Sequence, residues 1–311
     1  MSKSMKQILV LAAVQSVRGT PVVPVPGTNA ILARATTPSL INAEFVDRAL
    51  IRPYKGSSPQ LAVGVHRTFE CEVELAGSGA AGTVPKFDPL LKACGFASTV
   101  TAGTSVVYSP VSTGEPLLTL YCYLDGLLFT MTDTNATVSI ELNAKQIPVM
   151  KFKFMGNYAD ATDVSMPTGA VYTGFTQPVT VGKDNTPTFT VHGVAAACSA
   201  LSFDLAAQQT YRDIIGFKGA ISPDRKPAGS MTIELDTIAS KNWGAAVKQG
   251  AQGALQLVHG TSVGNIVQID APALQISSAP TLQDQDSVAM LSMNFMLPPS
   301  AGNDELILTF K

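Results

Sequence analysis

The sequence predicts a mainly β protein, and three observations carry that reading. Apolar and polar residues alternate with period two along most of the chain, the pattern of strands that bury one face. Helical periodicity is confined to two short stretches. Glycine and proline, 25 and 20 of 311 residues, are spread over the whole length and punctuate it with turns. Hydrophobic residues make up 46% of the chain and charged ones only 14%, against roughly 25% charged in an average soluble protein. That balance excludes a disordered chain, which needs low hydrophobicity and high charge. It also excludes a coiled coil, which needs far more Glu, Lys and Arg. A net charge of −2 argues against generic electrostatic binding of nucleic acid. So little charge covers a solvated surface thinly, which points to surface hidden against other copies of the chain.

Taken in order, Ile8 to Val14 follows two lysines and superficially resembles a signal peptide. Its apolar run is short and no small-x-small cleavage site follows, so it reads as a strand or arm. Clean alternation predicts strands at Phe69–Leu75, Thr137–Leu142, Met150–Phe154 and Met231–Leu235, and further strands at Leu117–Tyr123, Leu127–Met131, Asn265–Ile269 and Glu305–Phe310. The helical stretches are Lys86 to Cys94, stopped by Gly95, and Lys241 to Gln256, weakened by Gly244, Gly250 and Gly253. A long loop is expected around Ala97 to Pro116. Gly156 to Pro187, rich in Gly, Thr and Pro, reads as a linker. No stretch approaches the ~18 apolar residues of a membrane helix.

The chain reads as a duplication. Arg67 leads into Phe69–Leu75, a short loop and the first helix; Arg225 leads into Met231–Leu235, a short loop and the helix near Trp243. Each half later carries a matching strand, VMKFKFM at Val149 to Met155 and MLSMNFM at Met290 to Met296. Upstream, Phe45-Val46-Asp47-Arg48 is the counterpart of Thr210-Tyr211-Arg212-Asp213. The expected domains are residues 1–170 and 171–311, each with one flanking helix.

No catalytic constellation is visible. Gly77-Ser78-Gly79-Ala80-Ala81-Gly82 fits the glycine spacing of a dinucleotide loop. The strand before it carries Glu70, Glu72 and Glu74, however, whereas a central parallel strand is apolar on both faces. No acid lies about 20 residues on to hold a ribose. A glycine-rich turn in a β domain fits better. His66, His192 and His259 are isolated and read as surface or interface residues. Cys71, Cys94, Cys122 and Cys198 lack ligand or redox spacing and read as reduced, buried thiols. No metal, cofactor or enzymatic activity is expected.

Charge placement says more. Residues 1–43 hold Lys3, Lys6, Arg18 and Arg34 with no acid, for +4, and residues 249–311 carry −4. Ends of opposite sign suit head-to-tail stacking, with Lys3, Lys6 and Arg18 facing Asp304 and Glu305, or else both ends face solvent. The row Glu70, Glu72 and Glu74 is either neutralised by Lys151 and Lys153 on a neighbouring strand or lines a surface that a polyanion must slide along.

An ordered set of segments resembles the major tail tube proteins of long, non-contractile-tailed bacteriophages. It runs from Gly19-Thr20 and Asn29-Ala30-Ile31-Leu32 through Glu74-Leu75-Ala76-Gly77-Ser78-Gly79, Pro85, Leu90-Leu91-Lys92-Ala93-Cys94-Gly95 and Val107-Tyr108-Ser109-Pro110. It continues with Ser222 to Ser230, Gly260-Thr261, Gly264-Asn265 and Gly302-Asn303-Asp304-Glu305-Leu306. The resemblance implies two tandem β-sandwich or barrel domains and a virion protein without an active site. Its subunits would close into rings that stack head to tail into a tube conducting double-stranded DNA into the host. Glu70, Glu72, Glu74 and Glu234 are the candidates for the lumen. Many such proteins have one domain per chain and hexameric rings. Two domains here imply a homotrimeric ring of pseudo-sixfold symmetry, with a homohexamer as the alternative. Implied partners are the tape measure, tail completion and tail tip proteins, with assembly in the host cytoplasm and no membrane insertion. The competing reading is a receptor-binding or decoration protein of the tail, which predicts exposed aromatic loops.

Overall fold

The protein is described by a computed structural model covering residues 3–311. The first half forms β1 (Ile8–Gln15), α1 (Pro26–Asn29), β2 (Ala30–Ile31), β3 (Ala35–Pro38), β4 (Asn42–Asp47), β5 (Gln60–Glu74), α2 (Asp88–Ala93), β6 (Phe96–Thr101), β7 (Ser105–Pro110), β8 (Leu117–Leu124), β9 (Leu127–Asn143), β10 (Val149–Tyr158) and β11 (Thr162–Asp163). No strand occupies 164–187. The second half forms β12 (Thr188–Val191), β13 (Val194–Ala195), β14 (Cys198–Asp204), β15 (Thr210–Ile214), β16 (Phe217–Ile221), β17 (Ala228–Glu234), α3 (Trp243–Gln249), β18 (Gln252–His259), β19 (Val267–Ile276), β20 (Thr281–Gln285), β21 (Val288–Met296) and β22 (Ile307–Phe310). The protein is mainly β, as its alternation predicts.

Twenty strands join in one antiparallel sheet, and β15 with β16 forms a separate hairpin. One run through the large sheet reads β3–β5–β10–β9–β14–β17–β21–β20. A second reads β12–β18–β19–β22–β7–β6. Their inward residues share one buried core, Ile140, Phe152, Phe203 and Phe295 from the first and Tyr108, Ile269, Leu308 and Phe310 from the second. Because β9 lies on β14 and β22 lies on β7, both runs cross from one half of the sequence to the other. Ile8 to Gln15 is a strand, paired over its full length with β8.

Four expectations are corrected. The second helix ends at Gln249, where Gly250 takes the left-handed conformation (φ 61°) that favours glycine. Gln252 to His259 then forms β18, burying Leu255, Leu257 and His259 at period two. The loop expected at Ala97–Pro116 is mostly the β6–β7 hairpin. The strands expected at Leu127–Met131 and Thr137–Leu142 are one strand, β9. The first helix is shorter than expected. Asp88 in its first turn lies 2.8 Å from Lys92 and accepts a 2.9 Å hydrogen bond from the buried Tyr108 hydroxyl, while Leu90 and Leu91 face the core.

Candidate assembly surface

The eight-strand run divides into two quartets, β3–β5–β10–β9 and β14–β17–β21–β20, whose registers match strand by strand. Within the first, Glu74 stands opposite Val149 and Glu141 opposite Val149 on its other side. Within the second, Glu234 stands opposite Met290 and Gln283 opposite Met290 on its other side. Ala35 faces Glu72 as Ala200 faces Thr232. The pairs singled out in the sequence, Phe69–Leu75 with Val149–Met155 and Met231–Leu235 with Met290–Met296, are thus hydrogen-bonded neighbours in equivalent register.

Strand alternation sends one set of side chains to the core and the other to an open polar face. On that face lie Glu70, Glu72, Glu74, Ser139, Glu141, Ser202, Asp204, Ser230, Thr232, Glu234, Ser292 and Asn294. Lys151 sits 2.7 Å from Glu141 and 3.9 Å from Glu72, Lys153 sits 3.8 Å from Glu70, and Arg34 sits 4.0 Å from Glu74. The hydrogen bond to Glu141, which outweighs partial burial, holds the Lys151 ammonium above its ordinary pKa. The glutamate row is therefore both partly neutralised by its cross-strand lysines and part of a wide surface. Glu234 lies on the same face of the second quartet and is exposed. Six acids against three bases leave the face mildly acidic, and its remainder is short hydroxyl and amide side chains with a few apolar ones, Val149, Met290 and Met296 among them.

The family profile for phage tail tube proteins matches residues 6–297. The chain belongs to the phage tail tube protein family. No curated protein matches the sequence. Membership makes this tail tube protein a structural component of the virion tail that assembles with copies of itself. No helix among its described residues is long and apolar enough to cross a membrane.

The expected stacking charges fare unevenly. Glu305, expected as an outward-facing charge, is instead buried against Arg225, 3.1 Å away. Arg225 also donates to the Val111 carbonyl and to Asn303, so this pair ties the chain's end to its first half. Asp304 accepts from the backbone N–H groups of Ser300 and Ala301. Arg18 donates to the Ala220 carbonyl (2.9 Å) and lies over the Phe217 ring. Lys3 is exposed and donates to the Asp125 carbonyl, and Lys6 is exposed.

The glycine loop packs against the tail tube protein's own backbone. Gly79 N–H donates to the Gly264 carbonyl at 2.9 Å, and a Cβ on Gly77 would stand 2.1 Å from that oxygen. Residues 264–265 fill the space a phosphate would need, which fits the turn reading. Cys71, Cys94 and Cys122 are buried, and Cys198 half-buried. Burial pushes all four thiols up, Cys122 and Cys198 to about 12.

His259 departs from its expected surface place. It is buried, with Nδ1 2.9 Å from the Thr186 hydroxyl and Nε2 3.2 Å from the Val179 carbonyl, and burial lowers its pKa. His192, half-buried, lies edge-on to Trp243, and His66 stacks on Tyr211. The sequence marks Arg67 only as the residue leading into a repeated strand; its guanidinium is buried between the Phe129 and Tyr158 rings. It donates to the Leu40 carbonyl through Nε and Nη2 and to the Thr130 carbonyl through Nη1. Arg67 lies within β5, and an arginine on an alternating strand carries no signal of burial.

Proposed function

We propose that this chain is the ring subunit of a long, non-contractile phage tail. Three copies form one ring of pseudo-sixfold symmetry, and rings stack head to tail into the tube that conducts the genome into the host. The observation that carries the reading is the pair of matched quartets in one continuous sheet, which supplies two equivalent units per chain. The chain is thus a duplicated tail tube domain, residues 1–170 and 171–311, although its core and its sheet run across that boundary.

The polar face is the lumen. Glu70, Glu72, Glu74 and Glu234 repel the phosphates of passing DNA, while Lys151, Lys153 and Arg34 are each held against a glutamate of the same face rather than standing free to bind it. Ring-to-ring contact falls to projecting hairpins. The β4–β5 hairpin leaves Phe45, Val46, Ile51, Tyr54 and Leu61 exposed, and the β15–β16 hairpin leaves Ile214 and Ile215 exposed. Lys3, Lys6 and Asp304 border such contacts with charge. The ring is assembled in the host cytoplasm around a tape measure protein and is closed at its ends by completion and tip proteins. Cryo-electron microscopy of assembled tubes, reconstructed without sixfold averaging, tests the reading. Three chains per ring are expected; six chains per ring, or a stable monomer that saturably binds a host receptor, overturns it. That last outcome would favour a receptor-binding protein displaying Phe45 and Tyr54.

A further inference from the structure

The β15–β16 hairpin is attached to the molecule differently from the other strands. Its two strands pair only with each other. Among the described residues, backbone hydrogen bonds tie it down only at its neck. There Ala207 bridges Arg225, the Gln208 N–H donates to the Asp224 carbonyl at 2.8 Å, and the Lys226 N–H donates to the Ala206 carbonyl at 3.4 Å. Beyond the neck, side chains hold it. Arg18 Nη2 donates to the Ala220 carbonyl at 2.9 Å and the guanidinium lies over the Phe217 ring. The Tyr211 hydroxyl donates to Asn157 Oδ1 at 3.0 Å, and its ring stacks on His66. Only Gly219 and Ala220 of the hairpin are buried, so little apolar surface keeps it in place.

Arg18 belongs to an arm, residues 16–25, that follows β1 and forms no strand. The arm is held in the same manner. The Gly19 N–H donates to Asp133 Oδ1 at 2.8 Å, the Val22 N–H to Thr119 Oγ1 at 3.1 Å, and Gln15 Nε2 to both the Val17 carbonyl and Asp133. Val17, Val22, Val23 and Val25 are exposed. Asp133 is the hub. It is buried in the left-handed conformation (φ 49°) and, among the described residues, has no cation at ion-pair distance. Its Oδ2 accepts from Asn157 Nδ2 at 2.8 Å, the same side chain that takes the Tyr211 hydroxyl. Arm and hairpin therefore meet twice, directly at Arg18 and Ala220, and through the chain Gly19–Asp133–Asn157–Tyr211. The direct contact is made by half a guanidinium, because Arg18 Nη1 is buried without a hydrogen-bond partner among the described residues. A buried donor left unmade lowers the stability of the closed form.

We propose that the arm and the β15–β16 hairpin are one latch, closed in the single copy and released together. Arg18 is the pin and Asp133 its seat. Drawing the arm's valines away takes Arg18 off Ala220 and breaks the Gly19 contact to Asp133. The hairpin, with Ile214 and Ile215 exposed at its tip, then turns about its neck. A cavity of about 480 Å³ between it and the β4–β5 hairpin, lined by Glu44, Val63, His66, Tyr211 and Asp213, gives it room. Linkage makes the effect reciprocal, so that a hold on the hairpin loosens the arm by the same factor. The latch belongs to one copy and is independent of how copies meet.

Hydrogen exchange of the full chain, read by mass spectrometry on peptides from the arm, the hairpin and β9, tests the latch. In the unsubstituted chain the amides of β15–β16 should exchange ~100-fold faster than those in the centre of β9. Arg18→Ala should speed the hairpin by about tenfold, the worth of one charge-assisted hydrogen bond, and leave β9 unchanged. Tyr211→Phe removes only a hydroxyl, on the hairpin side, yet should speed exchange at Gly19 and Val22 in the arm by about fivefold. Hairpin amides as slow as β9 in the unsubstituted chain overturn the proposal. So does an arm indifferent to Tyr211→Phe, which makes the two segments independent. An equal rise in β9 in both variants overturns it as well, since the opening is then global unfolding.

Discussion

Ile140 and Leu282 occupy the same place in two copies of one strand pattern, and their surroundings are opposites. Around Ile140, β14 follows from the same chain and closes the sheet, so the side chain is lost to water. Around Leu282 the sheet simply stops, and the leucine stands exposed on what would be its core side. The same contrast separates Leu205 from Leu40. Alternation decides which face of a strand is apolar, but whether that face is covered depends on the next strand in space. An inner junction is part of one chain's stability, while an open edge is not, and substitutions distinguish the two.

The largest effect is expected where the open edge is anchored. Arg67→Ala leaves the Leu40 and Thr130 carbonyls without a donor and opens a cavity between Phe129 and Tyr158. It should cost ~4 kcal/mol of folding stability, read as a lower thermal midpoint of the isolated chain. Next comes the direct comparison. Ile140→Ala should cost ~3 kcal/mol, whereas Leu282→Ala should stay within ~0.5 kcal/mol in the same calorimetric measurement. Equal losses would break the distinction between junction and edge. Smaller again is Lys151→Met, which removes a partly exposed ion pair with Glu141. It should cost ~0.5 kcal/mol by denaturant titration, and the loss should shrink as salt rises.

The smallest effect is one of pH. Burial lowers the pKa of His259 from its ordinary 6.5, so the folded chain binds fewer protons than the unfolded one just below that value. Its contribution is complete above pH 6.5 and is lost as pH falls through the folded value. His259→Asn should therefore flatten the decline of the thermal midpoint between neutral and mildly acidic pH. His192, lowered by burial and secondarily by Lys241, keeps a residual slope. An unchanged slope in His259→Asn would mean that His259 is protonated in place.

What could be read in the sequence followed from how local each signal is. The strands Phe69–Leu75, Met150–Phe154 and Met231–Leu235 were legible because each buries alternate residues against the core. The equivalent register of Phe69–Leu75 with Val149–Met155 and of Met231–Leu235 with Met290–Met296 was foreshadowed because the same strand patterns occur twice. The second helix ran too long because Leu255 and Leu257 suit a helix face as well as a strand, and only Gly250 separates the alternatives. The β6–β7 hairpin hid in a stretch of Ser, Thr and Gly, where half-exposed strands have little apolar contrast. Glu305 looked like a free terminal charge because its partner, Arg225, lies 80 positions away. The lumen candidates fell on one face because period two fixes faces. The open edges were invisible, since edge and centre strands differ only in what lies beside them.

The buried thiols have a consequence for the life of the particle. A tail acts outside the cell, where oxidants are plentiful and no reducing system repairs a protein. With burial pushing the Cys122 and Cys198 thiols well up, little of either is the reactive thiolate at neutral pH. A particle built from this chain can wait long for a host with its four thiols largely unreactive, since burial denies disulfide exchange and thiol oxidation the thiolate they start from.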